Sequence, residues 1–229
     1  MHKIIKSVLG RQYFRFRWLL KHGIKYYCLY PYWFIDGWLS ENEAIALYDI
    51  ADRLPDNSNI VEIGSWQGKS SVVLGMAIRR KKGSLLYCID PFDATGDDFS
   101  KKEYDEKCLK LDSGLEQIFD MNIERCGLPR CVRRIKGTSM QVASGWDKPV
   151  DMAFIDGDHS YEGILNDVYS WSRFIKPGGF IVLHDVIRQN TQPGLSGPYR
   201  VVRELLLEDP GWRKKRFIDH LFIAQKAAV

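Results

Sequence analysis

Acidic and imidazole side chains follow two apolar segments in the second half of the chain. Asp156 and His159 follow the first segment, and His184 and Asp185 follow the second. If the segments are neighbouring parallel strands, their carboxyl ends meet at one edge of a sheet and bring these side chains together. Carboxylates and imidazoles gathered in one place can move a proton or bind a divalent cation.

The chemistry that this cluster could perform is acid–base catalysis on a hydroxyl group. His159 is the candidate general base because an imidazole titrates near neutral pH, and Asp156 is the second catalytic candidate. The clustered carboxylates could also hold Mg²⁺ or another divalent cation, which would orient a diol and lower the pKa of the reacting hydroxyl. The simpler alternative is that Asp156 binds a cofactor amine or caps a helix, and that His184 is a buried histidine bonded to a backbone carbonyl.

A short glycine turn follows an earlier apolar segment and opens a helix. Its residues are Glu62-Ile63-Gly64-Ser65-Trp66-Gln67-Gly68-Lys69-Ser70. The glycine spacing is one residue short of a phosphate-binding P-loop, and the middle glycine of a dinucleotide-binding motif is absent. The carboxylate of Glu62 would repel a pyrophosphate but attract a cationic amine or sulfonium. The turn therefore favours S-adenosylmethionine over NAD or ATP as its ligand.

Asp90 ends the next apolar segment, 26 positions after Gly64. A carboxylate at the end of the second strand of such a sheet can accept hydrogen bonds from both hydroxyls of a ribose. The alternative is a polar residue that only caps a strand end. We expect Asp90 to bind the adenosine of the cofactor.

The elements that position these residues alternate between strand and helix from Asn59 onwards. Apolar segments predict strands at 60–64, 84–90, 131–135, 150–155 and 179–183. Helical patterns lie at 70–80, from about 101 to 126, at 161–174 and at 198–207, and an antiparallel tail is expected over 216–218 and 220–224. This alternation predicts an α/β fold with a mostly parallel sheet and helices on both faces.

The first 38 residues differ in composition, because aromatic side chains alternate there with Arg and Lys. Phe14, Trp18 and Leu19 share one helical face, which predicts a helix from about residue 3 to residue 22. We expect this helical extension, residues 1–38, to pack over a cofactor-binding domain of residues 39–229 or across a dimer interface. The alternative is an arm that contacts a membrane surface or a partner. Ser40 and Glu43 form a predicted capping box at the start of the next helix.

Five motifs occur in order between Val61 and Asp185, and together they resemble a known family. They are VEIGSWQGKSS, LLYCIDPFD, IKGTSMQVA, FIDGDHSYEG and IKPGGFIVLHD. The set resembles class I S-adenosylmethionine-dependent methyltransferases, and its later motifs are similar to the small-molecule O-methyltransferase group of the macrocin O-methyltransferases and cephalosporin-hydroxylase-like proteins. The resemblance implies a Rossmann-like, doubly wound sheet of seven strands, of which the last is antiparallel.

The resemblance also implies a set of binding residues. The adenine is expected near the small-residue turn that follows the third strand. The residues expected to bind S-adenosylmethionine are Glu62, Gly64, Ser65, Gly68, Ser70, Asp90, Pro91, Thr138, Ser139 and Asp156.

Metal-dependent members of the related group carry acidic ligands at the ends of the fourth and fifth strands. The resemblance therefore implies Asp156 and Asp185 as metal ligands, with His184 beside them. His184 departs from the pattern, because related sites often have an acidic residue at that position. Imidazole suits transition metals better than Mg²⁺, so the metal differs, His184 serves another role, or no metal binds.

The expected activity is transfer of a methyl group from S-adenosylmethionine to a hydroxyl of a small molecule, such as a sugar or a glycosylated natural product. The alternatives are a cofactor-binding or assembly protein without turnover, and a methyltransferase that acts on nucleic acid or an amine. The formal net charge of +4 is small for a nucleic-acid-binding protein, and no Asn-Pro-Pro-aromatic motif is present.

Five cysteines without CxxC spacing favour a reducing, cytoplasmic location. The chain has no apolar run long enough to span a membrane, and we expect a homo-oligomer. The segments 91–100 and 189–199 are expected to line the acceptor pocket. Lys101, Arg188 and Arg200 could bind an anionic group of the acceptor, although each is also an ordinary surface charge.

Overall fold

Seven strands form one sheet in the computed structural model, which describes residues 8–93, 106–108, 113–188 and 196–228. The strands are β1 (Asn59–Ile63), β2 (Leu85–Asp90), β3 (Val132–Lys136), β4 (Val150–Ile155), β5 (Ile175–Leu183), β6 (Trp212–Ile218) and β7 (Leu221–Lys226). Their order in the sheet is β3-β2-β1-β4-β5-β7-β6. Strands β1 to β5 are parallel, whereas β7 is antiparallel to both β5 and β6. The predicted Rossmann-like, mostly parallel seven-stranded sheet is confirmed.

Helices cover both faces of the sheet. They are α1 (Val8–His22), a 3-10 helix (Ile24–Phe34), α2 (Glu41–Asp52), α3 (Lys69–Ile78), α4 (Leu115–Arg125), α5 (Ser139–Ser144), α6 (Tyr161–Ser172) and α7 (Ser196–Val201), which continues as a π-helix (Val202–Leu207). The central strand β4 is buried along its whole length because helices pack on both of its sides. The edge strand β3 instead contains three basic residues, and only Val132 in it is buried.

Each face of the sheet has its own apolar core. One core joins Ile60, Leu74 and Phe154, and the other joins Val61, Ile155 and Trp171. The two sets alternate along β1 and β4, as the two-residue period of a strand requires. The carboxyl ends of the parallel strands are thereby held side by side at one edge.

The N-terminal extension packs on the first of these cores. Phe14 and Trp18 on α1 and Tyr32 on the 3-10 helix are buried against it. The Trp18 indole Nε1 donates to the carbonyl of Tyr26 at 2.7 Å, which fixes the 3-10 helix against α1. In the part of the chain that the structure describes, no helix has both the length and the hydropathy that a membrane span needs.

The structure differs from the sequence predictions at the ends of several elements and in one element that was not predicted. Strand β5 begins at Ile175 rather than 179, and its pairing with β4 shifts where Pro177 and the following glycines interrupt the ladder. Helix α4 begins at Leu115, after Gly114, and residues 101–105 and 109–112 of the expected long helix lie outside the described residues. The 3-10 helix over Ile24–Phe34 was not predicted, because its aromatic run has no clear period.

Candidate active site

The carboxyl ends of β1, β2, β4 and β5 open into a cavity of about 1230 Å³. Its wall is formed by the loops that follow these strands, by the start of α2 and by residues of α6. This is the edge where open α/β sheets bind their ligands. The volume exceeds that of a usual single-ligand pocket, so there is room for a nucleoside cofactor and an acceptor together.

The glycine turn crosses directly under the end of β4. Gly64 has a φ of +79°, and a side-chain carbon added there would lie 2.0 Å from the carbonyl oxygen of Asp156. The Gly64 amide donates to the carbonyl of Ile89 on β2 at 3.0 Å. The backbone at Gly64 is therefore enclosed between two neighbouring strands, and only glycine fits there.

Asp90 fastens the glycine turn to the end of β2. One carboxylate oxygen accepts the backbone amides of Ser65 at 2.8 Å and Trp66 at 2.9 Å, and the other accepts the amide of Phe92 at 2.6 Å. Burial raises the pKa of Asp90, although these three amides oppose the shift. The carboxylate lies in the cavity wall, at the position that the sequence predicts for the ribose.

Glu62 lies beneath the turn rather than in the cavity wall. It is fully buried, and its carboxylate accepts hydrogen bonds from the hydroxyls of Ser65, at 3.0 Å, and Ser71. Burial raises the pKa of Glu62. The structure thus places Glu62 as a support for the turn, not against the cationic ligand that the sequence argument expected. The reason is strand geometry, because Glu62 points to the same face of β1 as Ile60.

The other residues expected to bind the cofactor also fall into two groups, those that line the cavity and those that do not. Gly68 precedes the first residue of α3, has a φ of +87° and lies outside the cavity wall. It faces the ring of Phe119 on α4. The Thr138 hydroxyl caps α5 by accepting the amide of Gln141. The expected residues that do line the cavity are Gly64, Ser65, Ser70, Asp90, Pro91, Thr138, Ser139 and Asp156.

His184 lies at the centre of a buried group of carboxylates. Its Nδ1 is 2.9 Å from Asp156 and 3.5 Å from Asp185, and its Nε2 is 3.4 Å from Glu43. Burial alone would lower the pKa of His184, but the three carboxylates outweigh it and raise the pKa well above its usual range. The three carboxylates around His184 therefore favour its protonated form.

Glu43 was predicted only as half of a capping box, and the structure brings it into the site. One of its oxygens accepts the Ser40 amide at 2.7 Å, as the capping box requires, and also faces His184. Its other oxygen accepts the His220 amide at 2.8 Å. Burial would raise the pKa of Glu43, but the bonds to His184 and to these two amides lower it.

His159 approaches the same two aspartates from the loop after β4. Its Nε2 lies 3.3 Å from Asp185 and 3.5 Å from Asp156, and the side chain is almost completely buried. Asp185 has a φ of +52°, which is a strained conformation for a residue other than glycine. Burial would raise the pKa of Asp185, but the neighbouring histidines lower it to about 2. The predicted catalytic and metal-binding residues therefore form one cluster in the cavity wall.

A family model described as a methyltransferase domain matches residues 61–186, which is more than half of the chain. The chain belongs to this methyltransferase family. The matched segment runs from β1 to the residue after Asp185, so it contains both the glycine turn and the His–Asp cluster. The resemblance to class I S-adenosylmethionine-dependent methyltransferases is confirmed.

Relatives of this methyltransferase are distant in sequence. An uncharacterized protein of Acanthamoeba polyphaga mimivirus is 27% identical over 130 residues, which is 57% of this chain and 52% of the viral protein. The chain thus spans about half the length of that relative. An O-methyltransferase from Bacillus cereus in complex with SAH is 17% identical, with a TM-score of 0.64 over 93% of this chain and 96% of that one. The O-methyltransferase TomG from Streptomyces achromogenes, in complex with SAM, is 16% identical, with a TM-score of 0.60 over 83% and 82%. These two likenesses show the fold.

A further buried acid of the methyltransferase, Asp167 on α6, lies in the cavity wall and was not predicted. It hydrogen-bonds to Ser139 at the start of α5, and it is only 5% exposed. Burial raises its pKa to about 6. Its position on one face of an amphipathic helix gave no sign of this role, because a single polar residue there is usually solvated.

The raised pKa of Asp167 predicts that the free energy of unfolding falls as the pH rises and this carboxyl group loses its proton. The unfolded carboxyl titrates near 3.8 and the folded one near 6, so the folded protein binds the extra proton between these values. The free energy of unfolding should therefore fall across this window, by about 3 kcal/mol at most. Urea unfolding at several pH values should show this loss in the wild type but not in Asp167→Asn. An equal pH dependence in both proteins would contradict the assignment, and Asp147→Asn, at an exposed position, is the control.

Proposed function

We propose that this methyltransferase binds S-adenosylmethionine in the cavity and transfers the methyl group to a hydroxyl of a small molecule. The observation that carries the proposal is that Ser65, Asp90 and Ser139 face the same cavity as the His159–Asp156–Asp185 cluster. A nucleoside cofactor and an acceptor bound in this cavity would therefore lie next to each other and next to a catalytic base. Family membership supports the methyl transfer, and the fold shared with O-methyltransferases supports oxygen as the acceptor atom.

In this proposal the cofactor lies across the ends of β1, β2 and β3. The ribose lies at Asp90, where the oxygen that accepts the Phe92 amide keeps one lone pair for a ribose hydroxyl. The adenine lies at the turn of Thr138 and Ser139. The methionine part lies against the backbone of Gly64 and Ser65, which is held close to the end of β4 because Gly64 has no side chain.

The reaction follows from His159. Its imidazole takes the proton of the acceptor hydroxyl, and the oxygen attacks the methyl carbon of the sulfonium from the side opposite to sulfur. The new C–O bond forms as the C–S bond breaks, and the C–S electron pair stays on sulfur to give S-adenosylhomocysteine. Asp156 and Asp185 hold the imidazole in place and stabilise it once it is protonated. Most of the rate enhancement is expected from positioning the two reactants.

Two of the carboxylates also fit a divalent cation. Ligand atoms of Asp156, His184 and Asp185 all lie within 4.8 Å of one another. Both nitrogens of His184 already face carboxylates, and a protonated imidazole cannot donate a lone pair to a metal. The three carboxylates and one imidazolium leave a formal charge of −2, which favours a hard cation at Asp156 and Asp185. When bound, such a cation would polarise the acceptor hydroxyl.

Chelation tests the cation. We expect dialysis against a chelator to lower the methyl-transfer rate at least about tenfold, since a bound cation contributes several kcal/mol to such reactions. Adding Mg²⁺ or Mn²⁺ back should restore the rate in the wild type but not in Asp185→Asn. Binding of S-adenosylmethionine, measured in the same chelator, is the control and should not change. Full activity in chelator would exclude the cation.

The acceptor that we propose is a sugar or a glycosylated natural product. Trp38 and Trp66 line the cavity with ring centroids 6.2 Å apart, and the Trp38 side chain is 42% exposed. Such aromatic faces suit the flat apolar side of a sugar ring.

Much of the two segments expected to line the acceptor pocket, residues 94–100 and 189–195, lies outside the described residues, as does Lys101. Arg188 stacks on Phe217, and Arg200 pairs with Glu204 at 2.8 Å.

The experiment is a screen for methyl transfer from labelled S-adenosylmethionine to nucleotide sugars, glycosides and catechols. Label should enter a sugar-containing acceptor at a hydroxyl oxygen, as read by mass spectrometry and NMR of the product. Label transferred only to an amine or to nucleic acid would overturn the proposal. His159→Ala, tested on any acceptor found, separates enzymatic transfer from spontaneous methylation.

A further inference from the structure

The outer face of α1 carries a row of exposed apolar side chains. Tyr13, Phe16 and Leu20 are 63%, 60% and 71% exposed, and Ile24 at the start of the 3-10 helix is 79% exposed. The spacings of three and four residues place Tyr13, Phe16 and Leu20 in one stripe along α1, and Ile24 follows just beyond the end of that helix. The opposite face of α1 is already used, because Phe14 and Trp18 point into the core. The outer apolar stripe therefore serves neither the fold nor the cavity.

The segment that carries the apolar stripe is basic in sequence, although two of its cations, Lys21 and Lys25, pair with Glu41 and Asp49. The first 35 residues contain seven Lys and Arg and no Asp or Glu, whereas the rest of the chain has 26 basic and 29 acidic residues. These 35 residues thus carry a formal charge of +7, and the remainder of the chain carries −3. Arg17 is exposed and borders the stripe, one helical turn from both Tyr13 and Leu20.

We propose that the apolar stripe of α1 docks on an anionic lipid bilayer. Phe16 and Leu20 would enter the boundary between headgroups and acyl chains, Tyr13 would lie at the level of the headgroups, and the basic residues would contact the phosphates. A helix with an apolar row, aromatic residues and basic residues beside the row fits this environment better than bulk water.

The same charges argue against a second copy of the chain as the occupant. A two-fold pairing through this face would bring one basic segment against another, and like charges at close range repel. An acidic protein partner satisfies the charge, but it does not by itself require the row of exposed Phe, Leu and Ile. The bilayer satisfies both features.

The docking surface also has a defined relation to the cavity. The chain runs from the 3-10 helix directly into residues 37–40, which form part of the cavity wall. Lys69 at the cavity donates to the carbonyl of Gly37 at 3.0 Å and so ties this segment to the glycine turn. Docking would therefore hold the methyltransferase, through a short connection, at a membrane surface.

Vesicle co-sedimentation of the full chain tests the proposal. Vesicles of phosphatidylcholine with phosphatidylglycerol should pellet the protein, pure phosphatidylcholine should pellet much less, and added salt should release it. Leu20→Glu and Arg17→Glu should each weaken binding by about tenfold or more, since each membrane-surface cation contributes roughly a factor of five. Tyr169→Glu and Arg213→Glu change exposed residues elsewhere and should bind like the wild type.

Two results would overturn the proposal. The first is equal pelleting with and without phosphatidylglycerol, or unchanged binding of Leu20→Glu. The second is a dimer in sedimentation velocity that Leu20→Glu dissociates, together with no vesicle binding, which would assign the stripe to a second copy. Circular dichroism of each variant should match the wild type, so that loss of binding is not loss of folding.

Discussion

Gly64→Ala is expected to destabilise the folded chain by about 3 kcal/mol or more and to abolish cofactor binding. The added carbon would lie 2.0 Å from the carbonyl oxygen of Asp156 and 2.8 Å from the Cα of Gly157, both of them backbone atoms that cannot rotate away. The φ of +79° adds strain for any residue with a side chain. The turn would have to move away from β4, and the proposed methionine subsite would move with it.

Urea unfolding and titration with S-adenosylmethionine measure the two effects of Gly64→Ala. Gly145→Ala is the matched control, because Gly145 has a φ of −105° and no neighbouring atom within 4 Å of the added carbon. Its stability should stay within about 1 kcal/mol of the wild type, with cofactor binding unchanged. Wild-type stability and affinity in Gly64→Ala would show that the turn is not packed as described.

His159→Ala should lower kcat by a factor of about 10² to 10⁴ while leaving the affinity for S-adenosylmethionine within about twofold. The imidazole is the proposed proton acceptor, whereas the turn that holds the cofactor in this proposal is fixed by its own bonds to Asp90. His159 touches Asp156 and Asp185 at 3.5 and 3.3 Å, so its loss removes the base without removing the carboxylates.

The control for His159→Ala is His22→Ala, which removes an imidazole paired with Glu41 outside the cavity. That variant should keep wild-type kcat. Single-turnover measurement with the acceptor identified in the screen separates the chemical step from product release. If His159→Ala keeps wild-type turnover, another group takes the proton and the proposed mechanism is wrong.

The parts of the molecule that sequence could predict are those fixed by local pattern. The buried strands β1, β2 and β4 are short apolar runs, and Gly64 and Gly68 follow the first of them at a spacing that no phosphate motif uses. The order of strand, turn and helix then places Asp90, Asp156 and Asp185 at one edge, because parallel strands present their carboxyl ends together.

The parts that sequence could not predict depend on contacts between distant segments. Glu43 is 141 residues from His184 in the chain. Its place in the capping box of α2 already accounts for a glutamate at this position, so the local sequence gives no sign of the contact with His184. The inward direction of Glu62 was open to prediction, because the two-residue period of β1 places it on the face of Ile60. His184 was taken as a metal ligand or a buried histidine, and only the three surrounding carboxylates show that its protonated form is favoured.

Isothermal titration of the wild-type chain with S-adenosylmethionine, S-adenosylhomocysteine and NAD is the most direct test of the proposed cofactor. The glycine turn, Asp90 and the turn at Ser139 predict one molecule of S-adenosylmethionine or S-adenosylhomocysteine bound per chain, and no binding of NAD. Asp90→Ala should weaken both adenosyl ligands by the same factor, because they share the ribose. Absence of S-adenosylmethionine binding by the folded wild-type protein, or preferential binding of NAD, would contradict the account.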